Sequence, residues 1–122
     1  MAEASSRSRS AASRPLSPHL QIHSRPINMV MSILHRATGA ALYFGTLLLA
    51  AWLIAAAYGP ATFGAVADLL ATLPGRIVLV GYTWALIHHA LGGVRHLIWD
   101  TGRALSVRGS DMLLWLTFFG SL

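Results

Sequence analysis

His88-His89-Ala90-Leu91-Gly92-Gly93-Val94-Arg95-His96 closes an otherwise apolar stretch. An ionisable side chain at membrane depth marks a functional site by default, because it is expensive to hold there. On a helix, positions i, i+3, i+4 and i+7 share a face, which aligns His89, Gly92, Gly93 and His96. That face carries an imidazole, a groove without side chains and a second imidazole. A flat, bulky group such as a porphyrin ligated by His89 fits against such a groove. Close packing of two helices through the paired glycines is the competing reading.

Upstream of this stretch, residues 77 to 94 are broken only by the two histidines, and extension through His96 to Trp99 completes a crossing. Trp99 then lies where an interfacial aromatic belongs, and Asp100 marks the exit. Residues 37 to 58 form 22 positions without a charge, about 33 Å of helix against a hydrocarbon core of ~30 Å. Gly59-Pro60 ends that span. Residues 59 to 75 read as a short polar connection holding Asp68, closed by a turn at Pro74-Gly75, with Arg76 opening the second span. Beyond it, residues 100 to 111 read as a polar loop with Arg103 and Arg108. Met112 to Leu122 is apolar again, but 11 residues make only about 16 Å of helix. The expected fold is all-α, a transmembrane helical bundle of three transmembrane helices near 26–58, 76–99 and 108–122. The third is short or truncated in this sequence.

Composition agrees with that class. The chain has 122 residues, 55% hydrophobic, with positive mean hydropathy, which points to one membrane-embedded domain. It has no cysteine, which excludes disulfides, thiolate catalysis, iron–sulfur ligation and cysteine-based zinc sites within the chain. Any metal must rely on histidine. The net charge of +5 comes from nine arginines against Glu3, Asp68, Asp100 and Asp111. No basic patch is interleaved with aromatics, so nucleic acid is not an expected partner. The arginines read as topology signals. Five precede the first span, Arg95, Arg103 and Arg108 follow the second, and only Arg76 lies between. The positive-inside rule puts the amino terminus on the cytoplasmic side of a bacterial inner membrane, or the matrix side of a mitochondrial inner membrane.

Before the first span, residues 1–13 form a basic tail that cannot bury a core and is expected to be disordered. Residues 14–122 are expected to form the membrane-embedded domain, the membrane-anchor domain of the resemblance given below. Its first part, residues 14 to 26, holds three prolines that forbid a continuous helix, so an extended strap at the membrane surface is expected. Pro26 suits the first turn of the next helix, with Ser24 as cap.

Two clusters then meet on the cytoplasmic side. In Ser32-Ile33-Leu34-His35-Arg36-Ala37-Thr38-Gly39, the residues Ser32, Arg36, Gly39 and Tyr43 share a face, while His35 points about 100° away. A hydroxyl donor one turn from a permanent cation suits the oxygen of a quinone head group and any negative charge developing there. The alternative is that Arg36 snorkels to lipid phosphate and Ser32 bonds its own helix backbone. In the second cluster, His89 lies six residues, about 9 Å, inside Arg95 along the helix axis. Arg95 and His96 emerge where the propionates of a haem need cationic or hydrogen-bonding partners, and His35 and Arg36 reach the same level. His88, turned about 100° from the glycine face, is the competing ligand. A second axial imidazole at this depth has to come from another chain.

Arg14-Pro15-Leu16-Ser17-Pro18-His19-Leu20, the Ser32 to Gly39 cluster, and His89 with Gly93-Val94-Arg95-His96-Leu97 and Asp100 resemble the cytochrome b556 subunit of succinate dehydrogenase. That is the larger membrane-anchor subunit of respiratory complex II. The resemblance runs from about residue 14 to the end and preserves motif order and spacing. It implies a three-helix subunit that pairs with a second hydrophobic anchor subunit, shares one haem b with it, and anchors the flavoprotein and iron–sulfur subunits. It places the axial haem ligand at His89 and a quinone-binding serine and arginine at Ser32 and Arg36. It sets His35, Arg36 and His96 near the haem propionates. Electrons from succinate oxidation then pass to ubiquinone, and this chain performs no succinate chemistry itself. The family's third helix is longer than residues 112 to 122 allow.

Two other functions stand beside this one. A haem-free structural anchor of the same kind of complex would use His89 only to bond a neighbouring helix. A small transporter using His88, His89 and His96 lacks intramembrane carboxylates for proton coupling and an internal repeat.

Overall fold

The computed structural model describes Ser17, Pro18 and residues 26–122, and the regular structure among them is entirely helical. The basic tail, most of the proline strap and the expected Ser24 cap lie outside the described residues. Four helices follow in order: α1 Ile27–Tyr58, α2 Pro60–Ala71, α3 Leu73–Asp100 and α4 Val107–Gly120. The bundle is thus all-helical, built on two long apolar helices.

Pro26 takes the N-cap position of α1, extended at ψ 150, rather than the first turn. The helix then runs 32 residues, about 48 Å, and α3 runs 28, about 42 Å, both longer than a hydrocarbon core of ~30 Å. Only 6% of the most apolar stretch of α1 and 17% of that of α3 are buried within the chain. A soluble core helix would be covered by its own chain. Here the uncovered surface is apolar, with Tyr43 at 74% and Leu47 at 69% exposure, as suits lipid or other membrane subunits.

Gly59 breaks the helix between α1 and α2 with φ 113, a conformation that side chains oppose. The connection expected over 59 to 75 is instead largely α2. Pro60 sits at its first position, where a missing N–H costs nothing and φ is already helical. The rest of Pro-Ala-Thr-Phe-Gly-Ala-Val-Ala-Asp-Leu-Leu-Ala is mostly helix-forming, and Asp68 is exposed. Pro74-Gly75 is likewise not a closing turn. Thr72 caps α3 by accepting from the Gly75 N–H at 3.3 Å, so Leu73, Pro74 and Gly75 are its first turn, ahead of Arg76.

The long helices run antiparallel. A side chain at Gly39 would meet His89, one at Gly45 would meet Tyr82, and one at Gly92 would meet His35. Six residues up α1 therefore match seven residues back along α3. Rings pack onto bare backbone at these points, the membrane equivalent of small-residue packing. Residues 101–106 turn the chain, and Ser106 caps α4 by accepting from Gly109 N–H at 3.2 Å. α4 packs on α3 and also reaches α1, while α2 touches both long helices at the opposite end. Its 14 residues give about 21 Å, less than a crossing.

Candidate functional site

The inward stripe of α3 is Ala85, His88, Gly92 and Arg95, all buried and spaced by three or four residues so that they share one face. His89 is one position off that stripe, half-buried, and faces α1. The two adjacent histidines therefore enter different interfaces.

His88 belongs to the α3–α4 contact. It is 1% exposed, its Nδ1 lies 2.9 Å from Ser121 Oγ, and its ring stacks on Trp84 at 5.3 Å. Ser121 Oγ donates to the Phe118 carbonyl at 2.9 Å, which leaves its lone pairs for His88 Nδ1–H.

His89 belongs to the α1–α3 contact. Its Nδ1–H donates to the backbone carbonyl of His35 at 3.1 Å, with Thr38 Oγ1 a second acceptor 3.4 Å away. That oxygen is free to accept because its proton goes to the Leu34 carbonyl at 2.9 Å. A proton fixed on Nδ1 leaves the lone pair on Nε2, which makes no hydrogen bond among the described residues. A carbonyl on one ring nitrogen is the arrangement that orients histidine for a metal on the other.

His35 and His89 stack face to face, centroids 4.0 Å apart and 5° from parallel, and His96 lies 5.3 Å from His35. The groove expected at Gly92 is therefore not bare. His35 arrives from α1 at the same depth and fills it, so that a Cβ at Gly92 would collide with the His35 ring. Gly93, by contrast, has nothing within 4 Å of an added Cβ.

Above these rings a cleft of about 550 Å³ opens between α1, α3 and α4. Ser32, His35, Arg36 and His96 line it, so the structure gathers these four expected site residues in one place, with His89 stacked on its floor through His35. Arg36 and His96 are exposed and Ser32 half-buried. Arg95 does not emerge at the surface as expected. It is buried at 4% exposure because its place on the inward stripe turns it toward α4.

Thr38, the Arg95–Trp99 pair and Ser121 escaped the reading of the sequence. Thr38 was legible in one respect: it stands three residues after His35, close enough in helical register to share its surroundings. Trp99 stands one turn after Arg95 on α3, a spacing that was equally legible, whereas the partner of His88 is Ser121 at the end of α4, which no local spacing reveals.

The chain matches the model of the succinate dehydrogenase/fumarate reductase transmembrane subunit over residues 10–122. It is 43% identical over 94 residues to the succinate dehydrogenase cytochrome b556 subunit of Paracoccus denitrificans, covering 77% of this chain and 72% of that one. The subunit of the same name from Rickettsia typhi is 38% identical over 102 residues, 84% of this chain and 79% of the other. The mitochondrial succinate dehydrogenase cytochrome b560 subunit of Sus scrofa is 37% identical over 101 residues, covering 79% and 58%.

Proposed function

Since the chain belongs to the succinate dehydrogenase/fumarate reductase transmembrane subunit family and is a membrane-anchor subunit of complex II, we propose that it holds one side of a haem b and part of a ubiquinone site. The observation that carries this reading is the His89 imidazole, with Nδ1–H tied to the His35 carbonyl at 3.1 Å and Nε2 uncommitted. His88 is spoken for by Ser121 and sealed inside the bundle. The residues present fit the group: a neutral imidazole donor, a second ring stacked on it, and cations at its cytoplasmic edge.

When bound, haem b supplies a one-electron carrier. This chain's residues orient it. His35 and Thr38 fix the tautomer and tilt of His89, since a ligand whose second nitrogen is hydrogen-bonded is held in rotation as well as in place. His35, Arg36 and His96 offer positive charge or N–H donors to the propionates. Ser32 donates its hydroxyl to one oxygen of the ubiquinone ring, while Arg36 nearby lowers the energy of negative charge arriving on that oxygen.

A second anchor subunit would supply the other haem-ligating histidine, and flavoprotein and iron–sulfur subunits would dock on the same face and deliver electrons from succinate. The chain sits in a bacterial cytoplasmic membrane with its amino terminus in the cytoplasm. The alternative is a mitochondrial inner membrane, with the amino terminus on the matrix side.

Two variants test the ligand assignment. In the assembled complex, His89→Leu abolishes the reduced b-type band, while His88→Leu keeps it and lowers thermal stability. Retention of the band in His89→Leu with all subunits present refutes ligation by His89 and leaves a haem-free or differently ligated anchor.

A further inference from the structure

Arg95 is the only buried cation among the described arginines, at 4% exposure, and its Nε and Nη1 have no hydrogen-bond partner among the described residues. The buried indole Nε1 of Trp99, one turn on, is equally without a partner there. The guanidinium carbon stands 5.2 Å from the Trp99 ring, and both side chains line the 550 Å³ cleft with Ser32, Arg36 and His96. Among the described residues, no aspartate or glutamate lines it. A desolvated guanidinium left alone is strongly disfavoured, and a ring contact offsets only part of that. Asp100, next in sequence to Trp99, is exposed and makes no ion pair among the described residues. A carboxylate suits both groups, because a guanidinium and an indole N–H are donors only and the guanidinium carries a positive charge that a carboxylate neutralises.

We infer that Arg95 and Trp99 form a buried carboxylate-binding subsite of the cleft, distinct from the exposed Arg36. The carboxylate comes either from a haem propionate or from an acidic side chain of an adjoining subunit. The inference rests on the proposed function, since it takes the cleft to be completed by haem and partner subunits.

The test uses the assembled complex with Arg95→Gln, Arg95→Met, Arg95→Lys and Trp99→Phe, reading haem midpoint potential, haem content, subunit stoichiometry and thermal stability. If a propionate is bound, Gln and Met lower the midpoint potential, because a cation that favours the extra electron is gone. A tenfold change in the reduction equilibrium is 59 mV for one electron. Lys restores most of the shift, Trp99→Phe gives a smaller shift of the same sign, and stoichiometry is unchanged. If the acid belongs to an adjoining subunit, the potential holds while Gln and Met shed that subunit during purification, and Lys retains it. The inference is overturned if potential, haem content and stoichiometry stay at wild-type values in Gln and Met, or if Met is the more stable protein, as expected of an unpaired buried charge. Should the Arg95 variants not assemble, a Trp99→Phe complex indistinguishable from wild type overturns it as well. A wild-type complex without haem defeats the proposed function instead, a separate outcome.

Discussion

Gly39→Ala tests how closely the His89 ring is held. An added Cβ stands 2.9 Å from His89 Cε1 and 3.4 Å from Nδ1, where ordinary contact begins at 3.4 Å. The ring must therefore retreat from α1 by about 0.5 Å. It cannot do so freely, because Nδ1 is bonded to the His35 carbonyl on α1 at 3.1 Å and one face is stacked on His35. Moving by that amount stretches the hydrogen bond to about 3.6 Å, past useful length. Overpacking costs about 1–3 kcal/mol, and loss of an outer-sphere hydrogen bond weakens metal binding roughly 10–100-fold. Gly45→Ala is the control, since its Cβ strikes the Tyr82 ring seven residues along α3 from His89. Haem per complex after detergent purification, with the reduced visible band, reads both. The expected result is haem loss or an altered band in Gly39→Ala, with destabilisation but an intact band in Gly45→Ala. Full haem occupancy with an unaltered band in Gly39→Ala would show that His89 is not held against α1 in the way this contact requires.

Other perturbations separate the remaining contacts. Ser121→Ala leaves His88 Nδ1 buried without its acceptor, an expected cost of about 1–3 kcal/mol in thermal unfolding, with the b-type band unmoved. Ser32→Ala and Arg36→Leu lower ubiquinone reductase activity while succinate oxidation by an artificial dye holds, whereas equal loss of both would mean failed assembly. Gly81→Ala, whose added Cβ meets nothing within 4 Å of this chain, gains helix propensity of up to about 1 kcal/mol. A large loss of assembly there would locate a neighbouring subunit against that face.

The two long helices were legible because long uncharged runs have one structural solution in a bilayer. α2 was not, because Gly59-Pro60 and Pro74-Gly75 read equally as turn or as helix start. Proline at a first helical position and the alanine–leucine content of residues 60–71 were the available signal. The meeting of His35 and His96 followed from depth alone, since a helix rises ~1.5 Å per residue, but the same reckoning set His89 deeper than any other histidine, and the 4.0 Å stack of His35 on it corrects that. Rotation about the axis was the weaker inference. Spacing placed Gly92 beside His89 but could not reveal that His35 fills that gap. Nor could it tell which of His88 and His89 faces α4, because the Ser121 contact spans 33 residues. Arg95 was misplaced for the same reason. Its sequence position suggests the membrane boundary, and only the packing of α4 shows it enclosed.

The central claim is that this chain carries half of a haem site within an anchored complex. The most direct measurement is a reduced-minus-oxidised visible spectrum of the complex purified through a tag on this chain, with its subunits identified. The expected result is a b-type band together with a flavoprotein, an iron–sulfur subunit and a second hydrophobic subunit. A clean preparation of those subunits without the band contradicts it.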